Sequence, residues 1–297
     1  MQRLIPKRIF YVWLGSSKPA DVSMAVYQWQ QFLPEYEIVE LNEKTSKYFN
    51  FEQELRQNDW FRTVYEKKMW AYAADYIRCK VLYEHGGIYL DTDISIIKSF
   101  DDRLGDSFFC GKQGEDKVNL AVFGCSQHNV FIKKILDFYN EEIWQQPFYA
   151  IPDIATFIMQ RDYNIVFGNE QEIIKTKDFV VYPPEYFYPL KMHEAFNQNC
   201  LTTNSYTIHW WKESWCKNEI TTWLKNKHLR PKKESMKAQL FSRYRIYLFN
   251  FLRIFDYSSQ DGIVRFYGIR VPFLKIKKVS GRTKITLFGF IPLLKIR

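Results

Sequence analysis

Between Tyr65 and Asp93 the chain changes its periodicity within a few residues, and that change limits how it can fold. Met69, Ala73, Ile77 and Val81 recur every four residues, with Ala74 and Leu82 nearby, which predicts a helix over Tyr65–Tyr83 with an apolar face. Gly86-Gly87 follows, at the point where a helix C-terminus favours glycine. Ile88-Tyr89-Leu90 then reads as a very short strand, Asp91-Thr92-Asp93 comes directly after it, and Ile94 to Ile97 continues extended. Two carboxylates one residue apart at a strand end cannot both enter a core cheaply, since an unpaired buried charge costs on the order of several kcal/mol. A divalent cation with oxygen ligands would balance them and would let them share a site with phosphate groups. Taken alone, the triplet also fits a solvated turn.

The rest of the first 229 residues reads as alternating strands and helices. Arg8 to Trp13 is a β-branched and aromatic strand ending at Gly15, Ala25 to Phe32 a helix stopping before Pro34, and Tyr36 to Leu41 a second strand. That order implies a βαβ unit with parallel strands. Phe108–Gly111, Leu120–Gly124, Phe179–Tyr182 and Tyr206–Trp210 read as further strands, with helices over Val130–Tyr139 and Ile154–Met159. The expected class is α/β, one catalytic domain over 1–229 and a basic aromatic extension over 230–297.

Charge separates these two parts. From Arg230 onward lie 16 of the 42 basic and 3 of the 33 acidic residues, a net +13, which leaves 26 basic against 30 acidic, or −4, before it. A basic tail on an acidic body suggests an anionic surface as its partner. Arg243, Arg245 and Arg253 interleave with Tyr244, Tyr247, Phe249, Phe251 and Leu252, and the segment 240–255 is expected to form a helix lying in a lipid interface. Packing of that helix on the body is the alternative. Gly268 to Lys277 and Gly289 to Arg297 form a short internal repeat, each with Pro, two apolar residues, Lys, Ile and a basic residue, read as paired strands or a surface-binding tail. No zinc-finger, RNP or helix-turn-helix signature is present, so nucleic acid is not the expected partner. Five cysteines without a CxxC pair predict free buried thiols. The N-terminus lacks a signal-peptide core and no apolar run reaches bilayer-spanning length. The protein is therefore expected in the cytoplasm, peripheral on the inner face of the cytoplasmic membrane.

The block Ala73-Ala74-Asp75-Tyr76-Ile77-Arg78, followed by Leu82-Tyr83-Glu84-His85-Gly86-Gly87-Ile88-Tyr89-Leu90-Asp91-Thr92-Asp93, closely resembles glycosyltransferase family 32. These are the DxD sugar-transfer proteins of bacterial capsule and exopolysaccharide synthesis, distantly similar to the clostridial glucosylating toxins. Ile5-Pro6-Lys7-Arg8-Ile9-Phe10-Tyr11-Val12-Trp13-Leu14-Gly15 resembles the same family's opening strand, with Phe10 where histidine is usual. Ile208-His209-Trp210-Trp211-Lys212-Glu213-Ser214-Trp215 resembles its closing segment.

The resemblance implies a GT-A type, Rossmann-like nucleotide-binding sandwich with a mixed central sheet, and sugar transfer with retention of configuration. It implies that Asp75 and Arg78 contact the donor sugar and phosphates, and their spacing of three puts them on one helical face. It implies Asp93 as the direct metal ligand, with Asp91 and His209 assisting. Tyr89, Gly15, Ser214 and Trp215 are implied donor contacts. Trp13 would stack on the base. The catalytic group is expected to be Asp91, Asp93 and Arg78, the cofactor Mn²⁺ or Mg²⁺, and the donor a UDP-sugar, UDP-galactose above others. The expected acceptor is a lipid-linked saccharide of capsule, exopolysaccharide or lipopolysaccharide assembly. A toxin-like protein glycosyltransferase and a non-enzymatic membrane-binding protein are the alternatives. A glycosidase fits less well, since it needs two carboxylates about 5–9.5 Å apart across a sugar and no metal.

Overall fold

The computed structural model describes residues 4–44 and 47–212, and the backbone of seven strands between 243 and 296. The chain divides into two compact units, Met1–His228 and Leu229–Arg297.

The first unit is built on a seven-stranded mixed sheet. Its strands are β1 (Arg8–Val12), β2 (Glu37–Leu41), β3 (Gly87–Leu90), β5 (Phe108–Lys112), β6 (Val118–Cys125), β7 (Ile174–Lys175) and β8 (Val180–Tyr182). They lie in the order β2-β1-β3-β6-β5-β8-β7. β1 is parallel to β2 and β3, as the strand–helix–strand reading predicts. β6 runs antiparallel between β3 and β5, which makes the sheet mixed. β4 (Ile94–Ile96) and β9 (Thr207–His209) pair antiparallel in a separate ribbon.

Alternation along the strands feeds two cores. Phe10, Val12 and Tyr89 face one side, where α2 (Phe51–Gln57), α3 (Asp59–Glu66), α4 (Trp70–His85), α5 (Val130–Asp137) and α6 (Ile151–Tyr163) pack. Ile9, Tyr11, Ile88 and Leu90 face the other side, with α1 (Ala20–Phe32), the β4–β9 ribbon and the short α7 (Pro184–Phe187). The α/β class expected from the sequence is the class observed.

The long helix differs from its prediction. It begins at Trp70, because Lys68 takes a left-handed turn (φ 56°) that separates it from α3. It is also buried almost all round, from Tyr72 through Leu82, so a four-residue stripe understates it. Near-complete burial of Asp75 and Arg78 means that each must find a partner in the protein. Gly86 closes the helix with φ 62° and an N–H donated to the Leu82 carbonyl. Cys79, Cys110 and Cys125 are buried free thiols, Cys200 is a half-buried one, and Cys216 lies outside the described residues.

The second unit corrects the helical reading of 240–255. β10 (Arg243–Leu248) and β11 (Leu252–Ser258) are antiparallel strands, joined in one sheet by β12 (Ile263–Phe266) and β13 (Ile269–Arg270). Arg243 and Arg245 recur at two residues, a strand period that the aromatic content obscured. The repeat copies carry β14 (Leu274–Val279) and β16 (Ile291–Ile296), which do not pair with each other but flank β15 (Arg282–Leu287).

Gly87 gives a direct test of the helix–strand junction. Its φ is +127°, and a Cβ there would stand 2.9 Å from the Arg8 carbonyl oxygen of the neighbouring strand. Gly87→Ala is expected to lower stability by about 1–3 kcal/mol. Gly114→Ala, where a Cβ meets nothing within 4 Å, is expected to stay within about 0.5 kcal/mol of the parent in the same thermal-denaturation assay.

Candidate active site

α4 and β3 meet at a buried cluster. Arg78 Nη2 lies 3.0 Å from Asp75 Oδ1, one turn earlier, and 3.0 Å from Asp91 Oδ1, just beyond the end of β3. Its Nη1 donates to the Leu120 carbonyl (3.0 Å) and its Nε to the Ala74 carbonyl (3.3 Å). The guanidinium lies 4.2 Å from the Tyr89 ring centroid, and the Tyr89 hydroxyl donates to Asp91 Oδ1 at 2.9 Å. Tyr89 and Asp91 are two residues apart and share one side of the strand.

One cation therefore faces two carboxylates, Asp75 buried and Asp91 half-buried, and can balance one of them. Burial pushes the Asp75 carboxyl up to about 6, against the opposing pull of Arg78. Burial also raises Asp91, with Arg78 pulling it down and Asp93 pushing it up. The cluster keeps an excess of negative charge, which favours a further cation.

Asp93 meets that cluster from a different element. β4 leaves directly after Asp93 and pairs with β9 in a register that sets Ile94 opposite His209. The pairing continues as Trp210 N–H donates to the Asp93 carbonyl at 3.0 Å. His209 Nε2 thereby comes 3.3 Å from Asp93 Oδ1, and the Lys212 N–H donates to Asp93 Oδ2 at 3.0 Å. Burial raises the Asp93 carboxyl, but the His209 contact and the Lys212 N–H outweigh it, so it stays below the usual carboxylate range.

Asp91, Asp93 and His209 each offer one ligand atom, and these atoms lie within 4.8 Å of one another. His209 Nδ1 is buried with no hydrogen-bond partner among the described residues. Two carboxylate oxygens and one imidazole, whose Nδ1 is orphaned, suit a divalent cation, with positions left open for other oxygen ligands.

This cluster forms one wall of a cavity of about 840 Å³. Trp13 lies at its rim, half-buried, with its indole N–H donated to the Ser16 carbonyl at 3.0 Å. Asp75, Arg78 and Tyr89 also reach the cavity wall. Gly15 is not among the lining residues, and its N–H is taken by Glu43 Oε1 at 2.9 Å. Ser214 and Trp215 lie outside the described residues. The cavity lining also carries groups that the sequence reading passed over. Asn119 on β6 is buried there, near the Lys117–Asp153 ion pair of 2.8 Å. Pro152-Asp153 opens α6, and that helix-start pair was the available signal.

Residues 19–109, which hold Asp75, Arg78 and the Asp91-Thr92-Asp93 triplet, match the family described as the glycosyltransferase sugar-binding region containing DXD motif. Among curated relatives, human alpha-1,4-N-acetylglucosaminyltransferase is 22% identical over 47% of this chain and 42% of its own. Mouse lactosylceramide 4-alpha-galactosyltransferase is 28% identical over 58% of this chain and 46% of its own. The chain thus spans less than half the length of these relatives. A solved structure of PaToxG glycosyltransferase overlaps 54% of this chain and 70% of that one, at 19% identity and a TM-score of 0.43. The galactosyltransferase LgtC, solved with donor and acceptor sugar analogs, overlaps 77% and 99%, at 12% identity and a TM-score of 0.39.

The buried triad makes a stability prediction. Arg78→Met leaves two carboxylates without their cation and is expected to lower stability by about 3–5 kcal/mol in a urea-denaturation assay. Adding Asp75→Asn should recover part of that loss. An Arg78→Met protein as stable as its parent would mean that the guanidinium does not hold Asp75 and Asp91.

Proposed function

We propose that this chain is a retaining, metal-dependent glycosyltransferase that moves a hexose or N-acetylhexosamine from a UDP-sugar, with UDP-galactose favoured, to a glycan acceptor. The observation that carries this reading is the convergence of Asp91, Asp93 and His209 within 4.8 Å on the wall of the large cavity. It is supported by the family match of residues 19–109.

Asp93, Asp91 and His209 hold the cation in this reading. Bound there, Mn²⁺ or Mg²⁺ supplies Lewis-acid neutralisation of charge on the departing diphosphate. Arg78 positions Asp91, because its nitrogens are already engaged by Asp75, Asp91 and two carbonyl groups. Trp13 offers a flat face to the base, where stacking contributes about 1–3 kcal/mol. Tyr89 fixes Asp91 through its hydroxyl, and Asp75 holds Arg78 in place. Gly15, Ser214 and Trp215 complete the proposed donor contacts. Trp211 and Lys212 line the cavity and in this reading limit competing water.

The acceptor in this reading is a lipid-linked saccharide of capsule, exopolysaccharide or lipopolysaccharide assembly, met by a cytoplasmic protein peripheral to the membrane. Two supports are the strongly basic second unit and the relative named for a lactosylceramide substrate. No helix among the described residues is long and apolar enough to cross a membrane.

The test is hydrolysis or transfer from UDP-galactose, UDP-glucose and the UDP-N-acetylhexosamines in the presence of manganese. Turnover of at least one donor is expected, lost on chelation and restored by manganese. Asp93→Ala should reduce it by at least about 100-fold, the scale for removing an electrostatic stabiliser of the transition state. Chelator-resistant turnover, or no turnover of any donor by parent and Asp93→Ala alike, would overturn the reading.

A further inference from the structure

The two sheets of the second unit differ in the cross-strand partners of their basic residues. In the sheet of β10–β13, Arg245 pairs across strands with Asp256, and Asp256 pairs in turn with Arg265. Arg245 and Arg265 are thus each set beside an acid, and on its other side Arg265 stands opposite Arg270. In the three-stranded sheet, Lys277 of β14 stands opposite Lys284 of β15, and Lys284 stands opposite Lys295 of β16. Three lysines form one row across the sheet, spaced by the interstrand distance of about 4.8 Å. Like charges placed directly opposite each other destabilise a sheet. No Asp or Glu occurs between residues 274 and 297 to relieve them.

Register collects further charge on the same face. Residues paired across antiparallel strands share a face, and residues two apart along a strand share it too. Lys275 and Arg282 therefore join Lys277, Lys284 and Lys295. Of the six basic residues in these strands, Lys278 alone is placed on the opposite face. That opposite face carries Leu274, Ile276, Ile285, Leu287, Leu294 and Ile296.

We infer that the Lys275–Lys277–Arg282–Lys284–Lys295 face of the β14–β16 sheet is a docking surface for a membrane bearing anionic phospholipid headgroups. A sheet face presents charges in two dimensions, which matches a plane of headgroups, and lysine acts as a point charge toward phosphate. Sheets that read single-stranded nucleic acid carry aromatic stacking residues on the binding face. The lysine-bearing face holds Val279, Thr286 and its partner Pro292 beside the basic residues, and no aromatic residue. The neighbouring strands β10–β12 supply Tyr244, Tyr247, Phe255, Tyr257 and Phe266, residue types that favour the membrane–water boundary. This inference rests on the membrane-peripheral part of the reading above and is independent of sugar transfer. It replaces the interfacial helix with a sheet face.

The test uses the full chain and sedimentation with vesicles at 0.15 M salt. Binding to phosphatidylserine/phosphatidylcholine vesicles is expected, with none to pure phosphatidylcholine and a steep fall at higher salt. The triple variant Lys277→Gln, Lys284→Gln, Lys295→Gln should weaken binding at least tenfold. The triple arginine variant at the same positions should keep it, which separates charge from folding. A control with the same change in net charge, Lys177→Gln, Lys191→Gln, Lys278→Gln, should change binding less than threefold. Equal loss in the control, or unchanged binding in the first variant, overturns the assigned face while membrane association itself stands. Absence of parent binding to anionic vesicles overturns both, as does tighter binding to a single-stranded oligonucleotide than to the vesicles.

Discussion

Arg78 stands between Asp75 and Asp91, and the arrangement of the first unit follows from that contact. A guanidinium taken out of water needs acceptors on several sides, and this one finds two carboxylates and two carbonyl groups. Those partners come from α4 itself, from the end of β3 and from β6. The contact therefore fixes the helix against the sheet where the strand ends and its carboxylates begin. Gly86 and Gly87 allow the chain to turn from helix to strand within two residues, and β1 packs closely against the turn. One positive charge against two negative ones leaves the site short of a cation. That shortage, rather than any single residue, is what the proposed cation would relieve.

The second constraint is register. Asp93 and His209 are more than a hundred residues apart, and they meet because β4 and β9 pair with Ile94 opposite His209. The same pairing brings the Lys212 N–H to Asp93. A one-residue slip would turn His209 to the other face of the ribbon. The two halves of the proposed metal-ligating group are thus held by different elements, one by the buried guanidinium and one by a two-stranded ladder.

Much of this was legible in the sequence, for physical reasons. The strands β1, β2, β3, β5, β6 and β8 announce themselves as β-branched and aromatic runs bounded by turn residues. The glycine pair marks the helix end. Asp75, Arg78, Asp91, Asp93 and His209 were named from residue spacing and family resemblance, and the structure brings all five together. Other features depended on context that local pattern does not carry. The helix break at Lys68 is a left-handed turn at a residue without left-handed preference. The helices α2 and α3 begin at Asn50 and Asn58, whose side chains cap them, but their apolar faces are short. Asn119, Lys117 and Asp153 reach the cavity from elements whose placement emerges once the sheet order is known. In the second unit, aromatic and basic residues suggested an interfacial helix. The two-residue recurrence of arginine and the cross-strand pairing of lysines are strand properties, and the second of these appears only with the register.

The central claim is that Asp91, Asp93 and His209 hold a divalent cation which in turn holds a nucleoside diphosphate. Calorimetric titration of UDP into the protein, with and without manganese, tests it most directly because it needs no knowledge of the sugar or the acceptor. UDP should bind in the presence of manganese, lose at least tenfold in affinity when the cation is removed, and show little dependence on manganese in a His209→Ala, Asp93→Asn protein. UDP binding of equal strength with and without the cation in the parent protein would contradict the claim.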